Sequence, residues 1–168
     1  MFLLKTIPHS IFTEQDRDDL ARLLYGESGY ELLDNIEVLH TALNRYASPY
    51  FRGTLRDILT AKNQFLGFKA DHPVLPEFRT VVDVVVNDFE ANGCQEIEGC
   101  NRFYFVADGH GNNKYEIAGA KWVEPAKKVY VKATDACPTA LRQAQIINQK
   151  LAQIPTQRIR VHSYERSI

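Results

Sequence analysis

A carboxylate able to move protons often sits where a charged group is out of place, and Glu27 has such a position. In Asp19-Leu20-Ala21-Arg22-Leu23-Leu24-Tyr25-Gly26-Glu27-Ser28-Gly29-Tyr30 the leucines recur at helical spacing and mark one apolar face. Glu27 lies three residues past Leu24, four past Leu23 and seven past Leu20, so a carboxylate continues the apolar stripe. Asp18 and Arg22 belong to the wet face. Gly26 and Gly29 flank the glutamate, and Gly29 suits a helix stop. On this reading two effects disfavour the anion: burial, and the negative C-terminal end of the helix dipole. A general acid working near neutral pH needs that bias. The same spacing also accommodates a glutamate that turns outward at a fraying helix end.

Other chemistries fit less well. The five histidines, His9, His40, His72, His110 and His162, contain no pair at the spacing of a helix-borne zinc motif. Cys94, Cys100, His110 and Cys137 match no compact zinc pattern, so neither a metal nor a cofactor is expected. Gly26-Glu27-Ser28-Gly29 is not a nucleophile elbow, and no Gly-rich phosphate cradle occurs. Glycoside cleavage remains. It requires a carboxylic acid near the scissile oxygen and often a second carboxylate. Glu27 fits the first role. Glu31, Asp34 and Glu37 follow closely but read as the polar face of the next helix.

The elements that would hold Glu27 are mostly helical. Thr13 is a good N-cap for the first helix, with acids in its first turn. Leu32, Ile36, Leu39, Leu43 and Tyr46 predict a second helix over about 32–47. Glu37, His40 and Asn44 run beside that stripe, either as a polar flank of a cleft or as a half-exposed edge. Ser48-Pro49-Tyr50 ends the helix, and Thr54 opens a short third one. Lys62-Asn63-Gln64-Phe65-Leu66-Gly67-Phe68 is a loop of amides beside aromatics. From Pro76 the four-three rhythm of Phe78, Val82, Val85 and Phe89 favours a buried helix, despite its β-branched content, and Asn92-Gly93 stops it. Beyond Cys100 the pattern turns to short extended pieces at 102–106, 122–123 and 129–131 around a turn-rich loop. Pro138 begins a last helix to about Gln153, and 158–162 alternates like an edge strand.

The 168 residues, 45% hydrophobic and 24% charged with net charge -1, suit one compact soluble domain and lack the basic excess of a nucleic-acid binder. Three cysteines are too few and too odd in number for a disulfide framework, although Cys94 and Cys100 bracket a short loop and could pair. The N-terminal residues lack the features of a signal peptide, and no stretch is apolar enough to span a bilayer.

The run from Leu20 to Ser28, followed by Leu39-His40-Thr41-Ala42-Leu43-Asn44-Arg45, resembles the cell-wall hydrolase family of the spore cortex-lytic enzymes. There an A-R-x-x-x-G-E-A-type helix end leads into a helix ending L-N-R. A Q-F pair follows, matched by Gln64-Phe65, and then an aromatic segment, matched by Phe103-Tyr104-Phe105. The likeness runs from about Asp19 to about Val131 and leaves 137–168 unexplained. Two features depart from the family pattern. The usual R-G-E after the glutamate is shortened to Ser28-Gly29-Tyr30-Glu31, and the terminal G-x-H-x-F-Y motif is replaced by Lys128-Val129-Tyr130-Val131-Lys132.

The resemblance implies an α+β, mainly α, lysozyme-like domain over 1–168, with its core at 13–131, a small β element and an added C-terminal helix in 137–168. It implies cleavage of peptidoglycan glycan strands by a monomer without membrane insertion, as a lytic transglycosylase with Glu27 as the catalytic acid. The Glu27-Ser28 pair is also similar to the E-S pair of soluble lytic transglycosylases. Ser28, Asn44, Gln64 and Tyr104 are the candidates to hydrogen-bond sugar. Phe65 and Phe105 would add apolar contacts, or else pack in the core. A hydrolytic muramidase and a non-catalytic glycan-binding module are the alternative functions. Lack of a signal peptide fits a phage lysin, a secreted effector or a processed chain, and leaves the localisation open.

Overall fold

The computed structural model describes residues 12–27, 29–47, 53–62, 65–92, 106–107, 113–117, 121–123 and 138–160. Helix α1 (Glu14–Glu27) begins where Thr13 predicts. The Thr13 hydroxyl accepts the Asp16 amide at 3.1 Å, and the Asp16 carboxylate accepts the Thr13 amide at 3.0 Å. This reciprocal box satisfies two otherwise unpaired donors. Helix α2 spans Leu32–Ala47, the range its leucine rhythm predicts. Helix α3 (Leu55–Thr60) is capped by the same Thr-Asp device, from Thr54 and Asp57. Helices α4 (Pro76–Asn92) and α5 (Pro138–Leu151) complete a mainly helical chain. Three short strands, β1 (Val106–Ala107), β2 (Asn113–Ile117) and β3 (Lys121–Val123), pair antiparallel in that order, with Ala107 opposite Asn113 and Glu116 opposite Trp122. The extended piece expected at 102–106 lies outside the described residues except for Val106, as does that at 129–131.

Helix α4 is the hub. Its valines are buried on several sides, because α1, α2 and α5 all pack against it. This explains a helix so rich in β-branched residues: packing against three neighbours outweighs a small propensity penalty. Phe78 is fully buried, and truncating it to Ala would cost about 3–5 kcal/mol. Ion pairs add register between α1 and α4. Arg17 reaches Asp83 and Glu90, both at 2.9 Å, while Arg79 contacts Glu14, Asp18 and Asp83.

The C-terminal segment is more integral than the resemblance implies. Ala140, Ala144, Ile147 and Leu151 on α5 are buried in the same core as α2 and α4. They close an apolar groove that would otherwise face water, so α5 is a core helix and not an addition. The chain after α5 then runs to the α1–α2 connection. Arg160 forms a single parallel bridge with Glu31, its carbonyl accepting the Leu32 amide at 3.1 Å and its amide donating to the Tyr30 carbonyl at 2.6 Å. Among the described residues the edge strand expected at 158–162 is reduced to this one bridge; 161–162 lie outside them.

Candidate functional site

Glu27 is the last residue of α1. Gly29 follows with φ 61°, the left-handed conformation that ends a helix without a Cβ penalty. The turn behind it is fastened from two sides. Tyr30 stacks on Phe78 with ring centroids 5.3 Å apart, and the Arg158 guanidinium lies over the Tyr30 ring, 4.9 Å from its centroid. Buried Glu77 accepts the Arg158 amide at 2.7 Å, and Glu31 accepts from Arg160 at 2.6 Å.

In front of Glu27 stands the loop that the sequence marks as amides beside aromatics. The Gly67 amide donates to Glu27 Oε2 at 2.8 Å. The two backbones touch here. A Cβ on Gly26 would fall 1.9 Å from the Gly67 carbonyl oxygen and 2.7 Å from His72 Cε1. A Cβ on Gly67 would fall 2.4 Å from the Gly26 carbonyl oxygen and 2.6 Å from Glu27 Oε2. Only a pair of glycines permits this approach. Arg22 secures the far end of the loop, donating from Nε to the His72 carbonyl at 3.1 Å and from Nη1 to Asp19 at 3.1 Å. The Arg22 of the A-R motif is therefore a brace between α1 and the loop. Tyr25 and His72 sit ring to ring at 5.0 Å, and Tyr25 and Leu66 are exposed.

The burial expected of Glu27 is not found. Leu20, Leu23 and Leu24 are fully buried, but Glu27 is exposed, because the helix ends at this residue and the loop around Gly67 meets its carboxyl only at the rim. Among the described residues it has no ion pair, and its hydrogen bond comes from an uncharged amide. The deeply buried acid of α1 is instead Asp19. Arg56 grips both its oxygens at 2.8 and 2.9 Å, with Arg22 and Gln15 adding bonds.

The other expected site residues divide. Ser28, Gln64, Tyr104 and Phe105 lie outside the described residues, as do all three cysteines. Asn44 falls within α2, but its side chain is outside the description. Phe65 is buried in the core with the Arg45 guanidinium 4.8 Å from its ring, so it packs the loop down and is not presented to a ligand. Glu37 and His40 are buried, not a half-exposed edge, because α5 covers that flank of α2. His40 Nε2 lies 2.8 Å from Gln143 Oε1 on α5, and the Gln143 amide donates to Asp88 on α4 at 2.7 Å. Burial pushes the His40 pKa down, outweighing the raising effects of the Gln143 bond and the Asp88 charge.

Sequence reading did not single out Gly67, His72 or Asp19. The glycine in an aromatic-rich loop was a usable signal; His72 carried none. Among the described residues no cluster of His, Cys, Asp and Glu is arranged to hold a metal, and no helix is long and apolar enough to cross a membrane. Comparison of the chain with family models, curated proteins and solved structures returned no match.

Proposed function

We propose that the protein is a peptidoglycan-cleaving enzyme of the spore cortex-lytic, lysozyme-like kind, and that it acts as a lytic transglycosylase with Glu27 as its single acid–base residue. The observation that carries this reading is the setting of Glu27. It is an exposed carboxyl at a helix end, held by a main-chain amide and not neutralised by any basic side chain among the described residues. A basic partner for Glu27 would have favoured the non-catalytic alternative, and among the described residues there is none.

In the proposed reaction Glu27 protonates the glycosidic oxygen between N-acetylmuramic acid and N-acetylglucosamine. The C1–O bond breaks, and its electron pair stays on the leaving oxygen. The C6 hydroxyl of the muramic acid attacks C1, and Glu27, now a carboxylate, takes that hydroxyl's proton. Atoms and charge balance without water. No second carboxylate is needed, and the tethered hydroxyl benefits from a high effective concentration. Tyr25 and Leu66 are exposed large apolar side chains of the same two elements, α1 and the loop, and are proposed to offer apolar surface to sugar. Asn44, Gln64, Tyr104 and Ser28 remain the proposed hydrogen-bonding contacts. Incubation of purified protein with cell walls tests the reading: clearing by wild type and none by Glu27→Gln supports it, and clearing by both refutes it.

A further inference from the structure

We infer that the Gly67 main-chain amide is a positioning group for Glu27, and that by occupying Oε2 it assigns Oε1 as the oxygen that gives and takes the proton. The catalytic consequence rests on the proposed role of Glu27; the hydrogen bond does not. An N–H can only donate, so it requires a lone pair at Oε2, 2.8 Å away. The carbonyl oxygen of a neutral carboxyl is the better acceptor, so this bond favours Oε2 as the carbonyl and Oε1 as the oxygen that carries the proton. In the proposed cycle Oε1 delivers that proton to the glycosidic oxygen as the C1–O bond breaks. It recovers one from the C6 hydroxyl as the new C1–O6 bond forms.

The donor is built to stay in place. The loop is closed by a turn in which the Phe68 amide donates to the Phe65 carbonyl at 3.0 Å. Phe65 is anchored in the core, and Arg22 ties down the His72 carbonyl. The contact between Gly26 and Gly67 sets the separation of loop and helix, because the groups in the way of a Cβ on Gly26 include the Gly67 carbonyl, which belongs to the main chain and cannot swing aside. A fixed dipole aimed at a carboxylate needs no reorganisation when the charge appears. The two glycines therefore serve one purpose: they bring a rigid amide within bonding distance of a carboxyl on another element.

The test is an NMR pH titration of nitrogen- and carbon-labelled protein that follows the Gly67 amide proton together with the Glu27 carboxyl carbon. The Gly67 proton should move downfield with the same midpoint as the Glu27 carbon, and should stay flat in Glu27→Gln. A Gly67 proton that ignores Glu27 ionisation in wild type overturns the inference, and this experiment needs no variant to fold. The second readout is Gly67→Ala, checked for folding by its own spectrum. Its wall-clearing rate should fall about a hundredfold, the scale of a misplacement of about 1 Å, with a displaced pH profile. A wild-type rate and profile in Gly67→Ala would overturn the positioning role. Wild-type digestion by Glu27→Gln would overturn the proton-transfer half together with the reading it rests on. A flat Gly67 resonance in an active enzyme would remove the hydrogen bond alone.

Discussion

Helix α1 carries two acids about two turns apart that live in opposite conditions. Asp19 is buried and bound by Arg56, Arg22 and Gln15. Glu27 is exposed and bound by one uncharged amide. Asp19 joins α1 to α3 and, through Arg22, to the loop in front of Glu27. Its two oxygens are both taken up in holding elements together. Glu27 meets only the Gly67 amide among the described residues. Buried and paired acids serve architecture; an acid left open at the end of a braced helix is available for chemistry.

The sharpest way to break this contrast is to substitute each acid and read both activity and stability. Glu27→Gln should lower wall-clearing activity by about two to four decades while shifting stability by less than about 0.5 kcal/mol. A stability loss equal to that of a core variant would show that Glu27 is structural. Asp19→Ala should do the reverse. Losing charge-assisted bonds to Arg56 and Arg22 should cost about 1.5–3 kcal/mol in chemical denaturation, a moderate figure because Arg56 is half exposed and can rehydrate. If Asp19→Ala unfolds at the wild-type denaturant midpoint, the clamp contributes nothing.

His40 extends the comparison to a buried base. Its folded pKa lies below the ordinary 6.5, chiefly through burial. As pH falls through 6.5 the unfolded chain takes up a proton that the folded chain does not, so stability falls with pH from there down to the folded value. The loss should approach about 1.4 kcal/mol per pH unit over that window. His40→Gln should flatten that part of the stability–pH curve. An unchanged slope in the variant would assign the titration elsewhere. The smallest effects belong to the proposed sugar contacts: Asn44→Ala and Gln64→Ala should weaken clearing more than they lower the melting temperature, and a melting drop with normal specific activity would return them to structural roles.

The helices were legible because periodicity and caps are local signals. Thr13, Thr54, Pro76 and the α2 leucines mark their elements, and even the valine-rich stretch of α4 yields to its four-three rhythm. What stayed hidden depends on distant contacts. The stripe that runs through Leu20 and Leu24 points to Glu27, but whether a neighbour covers the last turn of α1 is decided by chain ends and loops far away in sequence. Asp19 looks like surface until Arg56 arrives from α3. His40 looks like an edge until Gln143 arrives more than a hundred residues later. The Gly26–Gly67 contact joins two unremarkable glycines whose meaning is their proximity. Glu27 could therefore be named as the candidate from sequence, while its partner could not.

The most direct measurement is mass spectrometry of muropeptides released from purified peptidoglycan by this protein. If Glu27 acts alone and the muramic C6 hydroxyl is the nucleophile, the products end in 1,6-anhydro-muramic acid and weigh one water less than those of a muramidase. Products ending mainly in reducing muramic acid would contradict the single-acid scheme and require a second group to activate water.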